Sequence, residues 1–265
     1  MMRDITIGQY YPVDSVIHAL DPRTKLLGAL IYIISLFYVR KIIWFAVCLL
    51  VILVLYRVAK VPFVFFLKGL KKVIILLIFT FIFRMMITPG HVIWSFWVID
   101  FTQEGVIKGI KLASRIALMI TGSSLLSYTT TPRELADGLE RSLSFLERFH
   151  IPIKDMAVIT MIVFRFIPIM LEEANLIMDA QAARGVEFEQ TNIFRRTKNT
   201  FSVAMPLFIS SFRRSADLAM AMEARGFTGT GKQTKMNPLQ YSKHDYIAYV
   251  IIAVYLAVSI VVAVI

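Results

Sequence analysis

The chain has 265 residues, is 57% hydrophobic with a mean hydropathy of +0.69, and carries a formal net charge of +11; that is too apolar for an ordinary water-soluble domain. Its one cysteine, Cys48, lies in an apolar run, which excludes an intramolecular disulfide and a cysteine-rich metal site. The histidines, His18, His91, His150 and His244, are far apart and form no H-E-x-x-H motif, so composition points to a membrane protein with no metal centre.

The first predicted element starts at LDPRTKLL, residues 20–27. Asp21 is placed to cap a helix, Pro22 suits its first turn, and Lys25 marks the cytoplasmic edge of the membrane. Crossing a bilayer takes about 20 apolar residues. On that basis five membrane helices are predicted, over 24–39, 42–58, 73–88, 105–128 and 246–265, with Lys25 and Arg40 snorkelling from the ends of the short first one. The polar N-terminus shows no cleavable signal. The stretch 91–99, HVIWSFWVI, is short and aromatic and is read as an interfacial loop.

Charge orients these helices. Arg57, Lys60, Lys68, Lys71 and Lys72 fall between the second and third with no acid among them, which places that loop in the cytoplasm. The stretch 85–104 holds Asp100 and Glu104 and no Lys or Arg, so it lies outside. The N-terminus is therefore cytoplasmic and the C-terminus outside, with Arg40 and Lys41 facing outward against the rule. The net charge reads as topology and contact with the lipid bilayer's anionic headgroups, not as nucleic-acid binding. Lys108, Lys111 and Arg115 share a face of the fourth span at i, i+3 and i+7, where packing against a carboxylate or a carbonyl is expected.

Residues 132–243 hold 15 Lys/Arg and 12 Asp/Glu, and that density marks a water-facing module set against a membrane domain formed by 1–131 and 244–265. The module opens with TTTPRELADGLERSLSFLERF. Thr131 and Glu134 have capping-box spacing, and Leu135, Leu139, Leu143, Leu146 and Phe149 line one side of an amphipathic helix that runs to Pro152. Two longer helices follow, over about 153–184 and 201–225, each apolar early and charged late, with Arg195 and Arg196 on the connection between them. Each ends in Ala-Arg-Gly: Ala183, Arg184, Gly185, and then Ala224, Arg225, Gly226. One copy is explained by helix punctuation, a Gly at C′ and a cation near the negative end of the dipole. Two copies suggest two similar tips for two similar partners. Arg offers a planar fork that grips a carboxylate in two places, and Ala and Gly keep the tip narrow.

No catalytic constellation emerges. GFTGTGKQ at 226–233 approaches a phosphate-binding loop, but Gln233 lacks the hydroxyl that ligates Mg²⁺ and a helix precedes it where a strand is required. Glu172-Glu173 approaches the E-E-x-x-x-R pattern of an intramembrane protease, but position 177 is Ile177. Ser123 and Ser124, beside Thr121 and Gly122, have no base nearby in sequence and suit close helix packing.

LDPRTKLL, TTTPRELADGLE (129–140), AARG (182–185) and EARG (223–226) together resemble the EcfT family, the transmembrane coupling subunits of energy-coupling factor (ECF) vitamin transporters, related to CbiQ and BioN. The resemblance covers nearly the whole chain. It implies an all-α integral membrane protein with about five transmembrane helices and three amphipathic cytoplasmic coupling helices between the fourth and fifth, in a bacterial cell membrane. It implies two ABC-type ATPase partners that carry the ATP and Mg, a small substrate-binding membrane subunit, and no cofactor or catalysis on this chain. It assigns ATPase binding to Arg184 and Arg225 with their Ala and Gly neighbours. The alternative is a self-contained permease. That predicts internal repeats of broken membrane helices, whereas the repeat here lies in the water-facing module.

Overall fold

The computed structural model describes residues 10–38, 41–89, 92–96, 99–150, 152–186, 188, 193–227 and 239–264. The chain forms two compact units, one of Gly8–Ser142 with Leu239–Ile265 and one of Leu143–Pro238 with Met1–Ile7. Helices dominate both.

The first unit contains α1 (Pro22–Tyr38), α2 (Ile42–Val58), α3 (Phe63–Ile87), α4 (Gln103–Thr129), α5 (Pro132–Leu143) and α8 (Lys243–Val264). Each stretch predicted to cross the membrane is helical. By length and composition α4 and α8 are sufficient to span, while α2 and the part of α3 from Val73 are apolar but shorter. The predicted loop at 91–99 is instead largely strand: β1 (Val92–Phe96) pairs antiparallel with β2 (Ile99–Thr102), setting Phe96 against Ile99 and Ser95 against Asp100. Length ruled out a helix there but not a strand, and Val, Ile, Trp and Phe favour one.

Polarity in this unit runs opposite to that of a water-soluble core. Ile43, Ile75, Phe79, Val250 and Ile251 are exposed, whereas Thr24, Ser35, Thr121 and Ser259 are buried. Outward apolar surface on this scale fits lipid as the solvent. The interior gathers Leu36, Trp44, Cys48, Ile52, Tyr56, Leu118, Leu125 and Tyr128. Two of the buried hydroxyls have partners within the bundle: Thr121 Oγ1 donates to the Ala117 carbonyl at 2.9 Å, and Ser35 Oγ and the Tyr255 hydroxyl lie 2.6 Å apart. α3 and α4 approach closely at two glycines. A Cβ on Gly105 would stand 2.7 Å from the Met85 carbonyl oxygen, and one on Gly109 would stand 3.1 Å from that of Phe81. This is small-xxx-small packing, with four-residue spacing on both helices.

The capping box of α5 forms as its spacing predicts. The Glu134 N–H donates to Thr131 Oγ1 at 3.3 Å, and the Thr131 N–H donates to the Glu134 carboxylate at 3.0 Å. The predicted amphipathic helix does not run unbroken to Phe149: α5 stops at Leu143 and a 3₁₀ segment, Ser144–Phe149, continues. His150 ends it in the left-handed region at φ 62°, with its N–H on the Glu147 carbonyl.

The second unit is built on α6 (Ile153–Ala183) and α7 (Ile193–Ala224), which pack together. α7 starts earlier than the expected 201, so Arg195 and Arg196 lie in its first turn rather than on a connection. Pro168 and Pro206 are inside these helices.

Candidate functional site

Both Ala-Arg-Gly segments adopt the same structure. Ala183 ends α6, the Gly185 N–H donates to the Ala182 carbonyl at 2.9 Å, and the Val186 N–H donates to that of Gln181 at 3.1 Å. Ala224 ends α7, the Gly226 N–H donates to the Glu223 carbonyl at 2.9 Å, and the Phe227 N–H donates to that of Met222 at 3.0 Å. Each is a complete Schellman motif with its glycine at C′. Gly185 and Gly226 have φ of 86° and 76°, which accounts for the residue type. Among the described residues a Cβ on either would meet nothing within 4 Å.

The arginines occupy the C-cap positions between these bonds. Arg184 and Arg225 are exposed, as are Ala183 and Ala224. Neither guanidinium has a hydrogen bond or ion pair among the described residues. Five donors on each tip therefore remain available for an outside carboxylate.

Glu173 of α6 joins the two helices. It accepts a 2.8 Å hydrogen bond from Arg214 Nε, lies 2.7 Å from Arg214 NH2, and accepts a further hydrogen bond from the Ser210 hydroxyl. Ser211 Oγ donates to Met170 Sδ at 3.3 Å. The Ser210 hydrogen bond holds the Glu173 carboxyl below the usual range against the opposing effect of desolvation, and the Arg214 hydrogen bond and charge add to it. The pairs Glu173–Arg214 and Met170–Ser211 are each separated by 41 residues, the same interval that separates Arg184 from Arg225. The repeat is therefore spatial as well as sequential, because equivalent positions of the two helices meet in register. Each arginine lies eleven residues past the Glu173–Arg214 pair, or about 16 Å along its helix.

Sequence reading weighed Glu172 and Glu173 only against a protease pattern and overlooked this pair. The signal was present: shifting one segment by 41 residues places Glu173 over Arg214.

Asp21, Pro22 and Lys25 lie far from the tips in sequence and join helix ends within the first unit. Asp21 Oδ1 accepts the Arg23 N–H at 2.9 Å and so caps α1. The Asp21 N–H donates to Asp245 Oδ1 at 2.8 Å, and Asp245 Oδ2 accepts the Ser242 N–H at 2.7 Å, tying the start of α8 to the start of α1. Pro22 packs against Gly138 of α5, where a Cβ would stand 2.8 Å from the proline's own. Lys25 does not snorkel as expected. It is buried, and its ammonium donates to the carbonyls of His18 and Thr129, each at 3.0 Å, closing the end of α4. Arg23, which sequence reading left without a role, donates to the Leu239 carbonyl and the Tyr241 hydroxyl, each at 3.2 Å, and stacks on the Tyr241 ring. Most of GFTGTGKQ, from Thr228 onward, lies outside the described residues.

Comparison with known proteins supplies the context. The model of the CbiQ family, described as cobalt transport protein, matches residues 14–236. An energy-coupling factor transporter transmembrane protein EcfT from Acidaminococcus fermentans is 40% identical over 245 residues, covering 92% of this chain and 91% of its own. The EcfT of Clostridium kluyveri is 41% identical over 264 residues, with 98% and 97% covered. That of Lactococcus lactis is 38% identical over 256 residues, with 96% of each covered.

Proposed function

The chain belongs to the CbiQ family and is similar along nearly its whole length to EcfT proteins, which makes it a transmembrane component of an ECF transporter; from that premise we propose that it is the scaffold joining two cytoplasmic ABC-type ATPases to a small substrate-binding membrane subunit. The observation that carries this reading is the pair of matching caps, each presenting an exposed arginine at the same distance from an in-register helix crossing. One ATPase grips each tip through a carboxylate. ATP and Mg belong to those partners, and closure of the ATPases draws Arg184 and Arg225 together. The crossed helices pass the movement to an apolar stripe on α7, where Phe201, Met205, Phe208 and Phe212 are exposed at helical spacing. The substrate-binding subunit rests there and reorients to release its vitamin inside. In this reading α1, α2, α3, α4 and α8 cross the bacterial cell membrane, with the N-terminus cytoplasmic and the C-terminus outside.

The test is co-purification of ATPases with the tagged protein at matched expression. Losing one partner of a desolvated charge pair costs about 2–5 kcal/mol. Arg184→Ala and Arg225→Ala should therefore each weaken assembly or uncouple transport, and the double variant should lose the ATPases. Arg→Lys should restore part of the loss, since the fork is gone but the charge remains. Helix punctuation alone predicts a loss of at most about 1 kcal/mol and an intact complex. A double variant that held both ATPases and transported normally would refute the docking role.

A further inference from the structure

The two tips share a backbone and differ in their side chains. At the 41-residue interval Ala180 matches Ala221, Ala183 matches Ala224 and Arg184 matches Arg225, within caps of the same hydrogen-bonded form. Among the positions exposed on both tips, from 179 to 185 and from 220 to 226, two do not match. Asp179 corresponds to Met220, and Ala182 corresponds to Glu223. A partner that meets both tips therefore finds the same arginine in two different chemical settings.

Glu223 stands where its own helix disfavours it. It is in the last turn of α7, at the negative end of the dipole, which repels a carboxylate. The last turn of α6, residues 180–183, carries no charge. Among the described residues the Glu223 side chain is exposed and makes no hydrogen bond or ion pair, so no cation of this chain relieves it. Asp179 differs on both counts: it lies a turn further from its helix end and already interacts within the chain. Glu223 and Arg225 are two residues apart, about half a turn, so the α7 tip carries opposite charges on opposite sides. Met220, one turn before Glu223 on the same face, is 61% exposed. A Lys or Arg from outside can lay its aliphatic stem on that methionine and bring its charged head to the carboxylate. An anionic membrane surface would instead repel Glu223, so the fitting occupant is a protein.

We propose that Glu223, with Met220 beside it, is a second contact of the α7 tip that takes a Lys or Arg of the ATPase docked there, and that its absence from the α6 tip decides which ATPase each tip accepts. The inference rests on the docking role proposed above for the two arginines, and adds a residue that tells the two grooves apart.

Cross-linking in the assembled complex tests this. A photo-reactive maleimide on Ala180→Cys or Ala221→Cys, each in a Cys48→Ala background, captures the ATPase at that tip, and mass spectrometry identifies it. The two probes are equivalent, since each replaces an exposed alanine four residues before an arginine. One ATPase should predominate at Ala180→Cys and the other at Ala221→Cys, by about fivefold, the upper range for an exposed ion pair. The bias should shrink as salt is raised. Glu223→Gln removes the charge without adding bulk and should bring both captures towards even, and Ala182→Glu/Glu223→Gln should reverse them. Even capture with Glu223 in place, or a bias that survives Glu223→Gln, would overturn the assignment. The docking role is tested separately by Arg184→Ala/Arg225→Ala: if that variant keeps both ATPases, the docking reading falls and this one with it. If it loses them while Glu223→Gln leaves the bias intact, docking stands and the selecting role of Glu223 is refuted.

Discussion

At the scale of single residues, Gly185 and Gly226 separate the two demands placed on the tips. Their positive φ values set the residue type, and no described residue comes within 4 Å of where a Cβ would stand. Gly226→Ala keeps the arginine and its charge but places a Cβ in the left-handed region, at a cost of about 1 kcal/mol. The last turn of α7 should fray, and hydrogen exchange at the Gly226 and Phe227 amides should rise, with the membrane helices unchanged. If ATPase affinity falls with it, cap geometry as well as charge is being read. Arg184 and Arg225 were legible in the sequence because a repeated motif needs no structure to be noticed. Arg23 was not, since its acceptors at Leu239 and Tyr241 stand more than two hundred positions away.

At the scale of elements, one carboxylate, Glu173, bonds α6 to α7. The folded-state pKa of Glu173 is depressed by Ser210 and Arg214, so its contribution is present at neutral pH, above the ordinary glutamate value of about 4.3, and is lost as pH falls through the folded value. Cysteines placed across the crossing, at Met170 and Ser211, should form a disulfide readily at pH 7 in a Cys48→Ala background. A spin-label pair at the same positions should broaden in distance only once the pH has fallen well below the ordinary glutamate range. Glu173→Gln should show the broad distribution at every pH, and a wild-type distribution unchanged by acid would show that apolar packing alone holds the pair. Helix positions were legible because apolar runs and capping boxes are local signals. The β1–β2 pair was not, because strand and loop differ there by cross-strand pairing, which periodicity over nine residues does not record. The break after Leu143 was missed for a related reason: the apolar spacing continues through Leu146 and Phe149 although the backbone tightens.

At the scale of the whole molecule, membrane residence rests on exposed apolar surface over a partly polar interior, and orientation remains to be measured. In the Cys48→Ala background, Lys68→Cys should react with an impermeant maleimide only from the cytoplasmic side and Glu104→Cys only from outside, both positions being exposed. The reverse pattern would invert the bundle and remove the ATPase tips from the cytoplasm. Composition and charge were enough to read a membrane protein. They could not reveal that α5 belongs with the membrane unit, because Gly138 against Pro22 is a contact between residues more than a hundred positions apart.

The Glu173–Arg214 pair sits off-centre on both helices. From Ile153 to Glu173 is twenty residues and from Ile193 to Arg214 twenty-one, against eleven from that pair to either arginine. If the pair serves as a fulcrum, the long arms are about 1.8 times the short ones at a fixed rise per residue. A small pinch at the arginines then becomes nearly twice the sweep at the opposite ends, with a matching loss of force. Pro168 and Pro206 both lie on the long arms, where a missing backbone hydrogen bond lets a helix flex. The arginine side is left stiff and short, as suits the end of a lever that receives the load.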